Sequence, residues 1–516
     1  MSTMNGAKSL VETLLANGVD TCFANPGTSE MHFVAALDQT PGMHCILGLQ
    51  ENVVTGMADG YWRIARKPAA TLLHCGPGLA NGLANLHNAR RARSGIVNIV
   101  GDHATEHRPF DPPLAADTEG LARTVSAWVR TTTHANDVGR DAAACVQAAR
   151  TWPGQVATLV LPSNLSWDAG GIVAGELPPP AAPPVDAAAV DHVARALRSG
   201  RPAVLLLAGG AVTPEGQQLA WNIAQATGAR LMVDYVNATI ARGRGRVPLE
   251  RMPYVTELAM KVLAPYEHVV LVNAKAPVAF FAYPGMPSMQ QAPAAQVHVL
   301  SRPEHDAVQA LRALAQALGA KAAPIPPPGE RPSPATGAPT PEGLAQTVAA
   351  LLPENAIVSD ESISFGRGFY KFTHAAAPND WLHVTGGAIG GGLPVATGAA
   401  IAARGQRRVL SLQADGSAMY TLQSLWTQAR EQLPCTTVLL SNRKYNILIG
   451  EYKAVGAAPG ATAMRMLDLG NPDLDWVQLA RGMGVEAARA QTLEQCADLL
   501  AASFRREGPF LVELVI

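Results

Sequence analysis

Gln413-Ala414-Asp415-Gly416-Ser417 follows a short apolar run, Val409-Leu410-Ser411-Leu412, and the reading of the whole chain turns on it. Downstream, Met419, Leu422, Leu425, Trp426 and Ala429 recur at spacings of three and four, which predicts a helix ended by Pro434. A second β-branched run, Thr436-Thr437-Val438-Leu439-Leu440, then enters Ser441-Asn442-Arg443-Lys444-Tyr445-Asn446. Strand, helix, strand in this order makes the two strands parallel neighbours. Asp415 and Asn442 thereby both fall at strand carboxyl ends, the edge at which open α/β sheets bind ligands.

Oxygen-bearing side chains meeting at that edge suit a hard cation such as Mg²⁺, which takes one or two protein groups and completes its shell with phosphate oxygens. The backbone carbonyl of Lys444 is a candidate third protein ligand. Gly416 lets a phosphate approach the backbone, and Ser417 opens a helix with a hydroxyl and free N–H groups. An Asp-Gly-Ser turn alone is more often a cap than a ligand. Its pairing with Asn442 across one βαβ unit singles it out.

The chain has 516 residues, too long for one ordinary domain and suited to three. It is 48% hydrophobic and 16% charged, enough for large cores. A formal net charge of −1 gives no electrostatic case for nucleic acid or an anionic membrane. Met1–Gly6 lacks a basic-then-apolar leader pattern, and no apolar run is long enough to span a bilayer. The six cysteines show no CxxC, so neither a disulfide framework nor a zinc site is expected, and a reducing cytoplasm is the natural setting. Two Pro-rich stretches, Leu177–Pro184 and Ala323–Pro341, read as linkers between blocks 1–175, 186–322 and 342–516. All three blocks alternate strand-like and helix-like segments, so the expected fold class is α/β with three doubly wound parallel-sheet domains.

In block one, strand Thr21–Ala24 enters Asn25-Pro26-Gly27-Thr28-Ser29-Glu30, strand His44–Leu49 ends at Gln50-Glu51, and strand Ala69–Leu73 ends at His74. Thr28, Glu51 and His74 are thus expected on one edge of a parallel sheet. Glu51 lies between an apolar strand and an apolar helix, Asn52–Ala65, a poorly solvated setting in which a carboxyl can share a proton with a partner. The plainer readings are a helix-terminal Glu facing the dipole and a satisfied structural histidine. Block two holds no GxGxxG, and the chain holds no GxxxxGK[ST], so no second nucleotide cofactor is expected. Arg242-Gly243-Arg244-Gly245-Arg246 reads as a solvated loop. In block three, strand Ala356–Val358 leads into Ser359–Ser364. The run Thr385–Pro394 is a glycine-rich loop whose backbone a ligand can approach.

Asp415-Gly416-Ser417 followed by Asn442 resembles the metal and diphosphate motif of thiamine-diphosphate (ThDP) enzymes, with Ala414 and Ser441 where the family usually has Gly and Asn. Leu49-Gln50-Glu51, Ala58-Asp59-Gly60-Tyr61 and Arg66-Lys67-Pro68-Ala69 resemble the pyrimidine-binding domain of benzoylformate decarboxylase, in the 2-oxo acid decarboxylase and acetohydroxyacid synthase superfamily. The resemblance implies pyrimidine-binding, central and diphosphate-binding domains in that order. It implies ThDP and Mg²⁺ as cofactors, with the metal on Asp415, Asn442 and the Lys444 carbonyl. Cofactor contacts fall to Glu51, Ser364, Gly387, Ile389, Gly416, Ser417, Asn442 and Tyr445. Within these, Glu51 activates the aminopyrimidine, Gly387 offers it a carbonyl, and Ile389 enforces the bent cofactor shape. His74 and Thr28 join Glu51 as catalytic residues, for proton transfer and carboxylate placement.

The implied activity is non-oxidative decarboxylation of a small-molecule 2-oxo acid, in a homodimer or homotetramer with active sites at subunit interfaces. Three alternatives stay open: an acetolactate synthase-like carboligase, an FAD-dependent oxidase-type relative, and a ThDP-binding paralogue without turnover. His74 favours the decarboxylase. The family's second active-site His points the other way, because this chain has Phe280, Phe281 and Ala282 near its place. Ile447, Leu448, Phe280 and Phe281 predict an apolar substrate pocket.

Overall fold

Runs such as Ala69–Leu73 and Ile96–Val100 are apolar on both faces except for a central Thr71 or Asn98, the pattern of a strand covered by helices on each side. A computed structural model describes residues 4–516. Met1–Thr3, part of the segment read for a leader, lie outside the described residues. Block one contributes β1 (Thr21–Asn25), β2 (His44–Leu47), β3 (Ala69–His74), β4 (Ile96–Asp102), β5 (Trp128–Thr131) and β6 (Val156–Pro162). They form one sheet in the order β2-β1-β3-β4-β6-β5, parallel throughout.

The middle block contributes β7 (Ala203–Leu207), β8 (Arg230–Val233), β9 (Ile240–Arg242), β10 (Glu250–Arg251), β11 (His268–Val272) and β12 (Gln296–Ser301). All but β9 pair in parallel as β10-β8-β7-β11-β12. The last block supplies β13 (Ala356–Glu361), β14 (Asn379–His383), β15 (Val409–Ala414), β16 (Cys435–Ser441), β17 (Glu486–Ala490) and β18 (Phe510–Val515). Its sheet runs β17-β18-β16-β15-β13-β14-β9, with β9 borrowed from the middle block and antiparallel to β14. The chain is therefore α/β with three parallel-sheet layers, as the sequence predicts.

The borrowed strand corrects the reading of Arg242–Arg246 as a solvated loop. Arg242 is buried, its guanidinium 3.6 Å from the Tyr370 ring centroid and 4.8 Å from that of Trp381. It also donates to the Tyr370 carbonyl, while burial lowers its pKa to about 10. Two aromatic faces and a carbonyl replace the water that a surface arginine would have. Only the remainder turns, through Gly243 at φ 95° and Gly245 at φ 77°.

Blocks one and three meet backbone to backbone. Helix Glu51–Ala65 lies on helix Gly392–Ala402 so closely that a Cβ at Gly60 would stand 2.1 Å from the Val395 carbonyl oxygen, and one at Gly398 1.9 Å from that of Met57. Arg63 locks this contact. Its Nε and Nη2 bind the Asp59 carboxylate at 2.8 and 2.6 Å, and its Nη1 donates to the His383 carbonyl at 2.6 Å. The helix expected across Met419–Ala429 is interrupted instead. It splits into Asp415–Ala418 and Ser424–Arg430, because the Thr421 hydroxyl donates to the Gly390 carbonyl (2.8 Å) and the chain between turns on tight bonds such as Ser424 N–H to Thr421 O (3.0 Å). Among the described residues no helix is long and apolar enough to cross a membrane.

Candidate active site

β15 and β16 pair in register from Val409↔Cys435 to Ala414↔Leu440, so the loops that follow them emerge side by side. Ala414 has φ −78° and ψ 147°, extended angles that any residue adopts, which is why alanine serves there. The Asp415 side chain is 2% exposed overall and bridges the two loops: Oδ1 accepts the Gly416 N–H (2.8 Å) and Oδ2 accepts the Arg443 N–H (2.7 Å). Burial pushes its carboxyl pKa above the ordinary aspartate value, with the backbone donors pulling the other way. Asn442 Oδ1 accepts the Lys444 N–H at 3.0 Å, and the Lys444 carbonyl accepts the Asn446 N–H at 2.9 Å. A Cβ on Gly416 would lie 2.6 Å from the Tyr445 ring, which covers that loop. Ser417 Oγ donates to the Ala414 carbonyl (3.1 Å) and accepts from Gln413 Nε2 (2.7 Å). Asp415, Gly416, Ser417, Asn442, Lys444 and Tyr445 thus gather at one edge. The donor set there is all oxygen, around a buried carboxylate without a lysine or arginine partner among the described residues. Such a set fits a hard divalent cation.

Ser364 joins this edge from β13, its Oγ accepting Asn446 Nδ2 at 3.4 Å. The glycine-rich loop arrives next to it, turned by Gly387 at φ 79° and Gly390 at φ 93°, with Gly387 exposed and Ile389 half-buried. What holds this loop is Glu361, the last residue of β13. Its Oε1 accepts the N–H of Gly390 (2.8 Å) and of Gly391 (3.3 Å). Its Oε2 accepts the N–H of Gly392 (2.9 Å) and Gln413 Nε2 (2.8 Å). Burial pushes the Glu361 carboxyl pKa up, against these donors. Glu361 is not among the residues that the sequence singles out. Its signal was an acid ending an apolar strand, the same signal that marked Glu51.

On the block-one edge, Glu51 is the first residue of its helix, capped by Gln50 Oε1, which accepts the Asn52 N–H at 2.6 Å. Its carboxylate accepts Asn81 Nδ2 at 3.1 Å, and its side chain is half-buried rather than enclosed. His74, last in β3, turns Nδ1 toward Glu30 Oε2 (3.1 Å) and Ser29 Oγ (2.9 Å). Glu30 is 3% exposed and also accepts the Gly27 N–H at 2.7 Å. With Nδ1 engaged, Nε2 is the nitrogen left to face a ligand. Thr28 is exposed, and the hydroxyl against the imidazole belongs to Ser29. Ser29 and Glu30 were missed, although a Glu three residues after the Gly27 turn is a recognisable helix-start pattern.

Backbone strain marks the same places. Among the residues with a left-handed backbone, Cys75 follows His74, Ile363 precedes Ser364 and Arg443 follows Asn442, with φ of 52°, 51° and 58°, values rare for residues with a side chain. Strain of this kind collects at ligand-holding sites.

Residues 4–123 match the family described as "Thiamine pyrophosphate enzyme, N-terminal TPP binding domain", and residues 365–514 match "Thiamine pyrophosphate enzyme, C-terminal TPP binding domain". The chain belongs to the thiamine pyrophosphate enzymes. It is 50% identical over 517 residues to "Putative acetolactate synthase large subunit IlvX" of Mycobacterium tuberculosis, covering 99% of each chain. It is 29% identical over 547 residues to the benzoylformate decarboxylase of Pseudomonas aeruginosa, covering 100% of this chain and 99% of that protein. In fold it matches the thiamine-diphosphate-dependent 4-hydroxybenzoylformate decarboxylase of Rhodococcus jostii RHA1 with a TM-score of 0.84 at 24% identity, over 99% of this chain and 98% of the other.

Proposed function

We propose that this chain is a ThDP- and Mg²⁺-dependent enzyme that decarboxylates a 2-oxo acid without oxidation. When bound, the cofactor supplies an acidic thiazolium carbon that adds to a keto carbon and takes up the electron pair released with CO₂. Asp415, Asn442 and the Lys444 carbonyl are assigned to the metal, and Gly416, Ser417, Ser364 and Tyr445 to the diphosphate side. Gly387 and Ile389 are assigned to the ring system, on a loop that Glu361 keeps rigid. Glu51 holds and returns one proton at its carboxylate. Thr28 is assigned to substrate carboxylate placement, with Ser29 beside it.

The observation that carries the reading is the Glu30–His74 pair, with His74 Nδ1 to Glu30 Oε2 at 3.1 Å. A buried carboxylate fixes the imidazole tautomer and leaves Nε2 to deliver a proton, which is what release of an aldehyde requires. Carboligation onto a second carbonyl is the second reading, favoured by the 50% identical relative that carries an acetolactate synthase name. Under either, two chains complete the sites, as a homodimer or homotetramer. The test is a CO₂-release screen over aliphatic and aromatic 2-oxo acids with Mg²⁺ and ThDP, with products identified. Aldehyde supports decarboxylation, a 2-hydroxy ketone or acetohydroxy acid supports carboligation, and no CO₂ from any acid removes both.

A further inference from the structure

A cavity of about 310 Å³ opens between the middle block and helix Asn446–Ala454, with Ser364 and Asn446 on its wall. It therefore adjoins the edge assigned to the diphosphate side. A chain of aromatic contacts also connects it to the glycine-rich loop. Phe280 packs on Gly387, where a Cβ would stand 2.7 Å from the ring, and Phe280 lies 5.5 Å from the Tyr254 ring that lines the cavity. Of the four residues expected to make an apolar pocket, Ile447 lines this cavity, whereas Leu448, Phe280 and Phe281 are 43, 44 and 56% exposed and do not.

Its defining group is instead a carboxylate. Glu451 accepts the Tyr254 hydroxyl at Oε1 (3.2 Å) and the Tyr283 hydroxyl at Oε2 (2.9 Å). Burial, with Glu451 alongside, raises both phenol pKa values, so the two hydroxyls stay protonated and donate. Each carboxylate oxygen has accepted one bond and keeps a further acceptor position. Glu451, Tyr254 and Tyr283 are all half-buried, and the two phenols come from different loops of the middle block, so the carboxylate is held from two directions. The cavity's other charged groups, Glu257, Arg367 and Lys453, are exposed at its rim. The Arg367 guanidinium sits 4.5 Å from the Tyr254 ring centroid. Two negative and two positive groups leave the mouth without net charge, so long-range attraction for one sign of ligand is weak and short-range contacts inside decide what fits.

Resting on the activity proposed above, we propose that Glu451, set by Tyr254 and Tyr283, is a specificity-determining residue that selects a 2-oxo acid whose side chain ends in a hydrogen-bond donor, a hydroxyl or an amine. A methyl end leaves the carboxylate's remaining acceptor positions desolvated and unpaired, and a carboxylate end places like charges together. The preference is smaller than in a fully enclosed polar site, because Glu451 keeps some contact with water.

The test uses the Mg²⁺- and ThDP-loaded protein and three 2-oxo acids of equal chain length, ending in an amine, a methyl and a carboxylate. Wild type is expected to show kcat/KM for the amine-ended acid about 10- to 100-fold above the other two. Glu451→Leu is expected to invert the order in favour of the methyl-ended acid. The near-isosteric Tyr283→Phe, which guards against a Leu variant that does not fold, is expected to narrow the preference severalfold, chiefly through KM. A wild-type preference for the methyl or carboxylate end overturns the proposal, as does an unchanged order in both variants. If the loaded protein releases CO₂ from none of the three and calorimetry detects binding of none, the role of Glu451 fails, and the underlying 2-oxo acid reading stands or falls with the wider screen described above. CO₂ release with the wrong ranking sinks only the role of Glu451.

Discussion

Replacing Glu361 by Gln tests what holds the glycine-rich loop in place. The wild-type carboxylate faces four donors: the N–H groups of Gly390, Gly391 and Gly392, and Gln413 Nε2. An amide keeps one acceptor oxygen and turns the other into a donor. With the oxygen toward Gly390 and Gly391, the new NH₂ meets the Gly392 N–H and Gln413. Gln413 can answer by rotating its own amide, whose Oε1 is buried and has no partner among the described residues, but that gives up its Nε2 bond to Ser417 Oγ (2.7 Å). The Gly392 N–H has no such remedy. One buried backbone donor left unpaired costs about 1–3 kcal/mol, and the two surviving bonds weaken on losing their charge. Removing a buried charge that has no cationic partner among the described residues offsets part of this. The expected loss is therefore about 1–3 kcal/mol in urea unfolding of the cofactor-free protein. Because the loop carries Gly387 and Ile389, ThDP affinity by calorimetry should fall about tenfold, the equivalent of about 1.4 kcal/mol. Hydrogen exchange at Gly390–Gly392 should speed up in parallel. An unchanged urea midpoint together with equally slow exchange at those three amides would refute the reasoning.

Three further outcomes are expected. Glu51→Gln keeps the size and one hydrogen bond but cannot exchange a proton, so ThDP should still bind while turnover falls by about two orders of magnitude. NMR of proton–deuterium exchange at the thiazolium carbon checks this, and equal rates in both proteins would leave Glu51 a helix-terminal carboxylate. Asp415→Ala should abolish Mg²⁺-dependent ThDP binding while circular dichroism stays native, and unchanged affinity would remove the metal assignment. His298, hydrogen-bonded to His192 (2.9 Å) and His268 (3.0 Å), has its pKa lowered from 6.5 to about 4 by burial and by those two rings. The unfolded chain then binds the proton more readily, so the stability contribution is present above pH 6.5 and is lost as pH falls toward 4. His298→Gln should flatten that part of the acid-side loss in urea midpoints measured between pH 7 and 4.5, and an unaltered slope would exclude it as the source.

By itself, the sequence determined the α/β class, the three blocks of alternating strands and helices, and the approach of Asp415 to the Asn442 loop. These are local matters: apolar runs set strands, helical spacing sets crossovers, and right-handed crossovers deliver successive strand ends to one edge. It also placed His74 at the end of its strand, whereas the strand expected to run to Leu49 stops at Leu47 and Glu51 opens the helix that follows. What only the tertiary structure decided depends on contacts between segments distant in sequence. Arg242 looks like a loop residue until Tyr370 and Trp381 arrive from more than a hundred positions away to receive its guanidinium. Glu361 looks like an ordinary strand-end acid until the glycine-rich loop folds its N–H groups onto it. The same holds for Ser29, whose hydroxyl lies against His74, and for Glu451, whose partners Tyr254 and Tyr283 lie in the middle block. A buried polar group takes its meaning from whichever partner replaces its lost water, and periodicity in one stretch of chain carries no information about that partner.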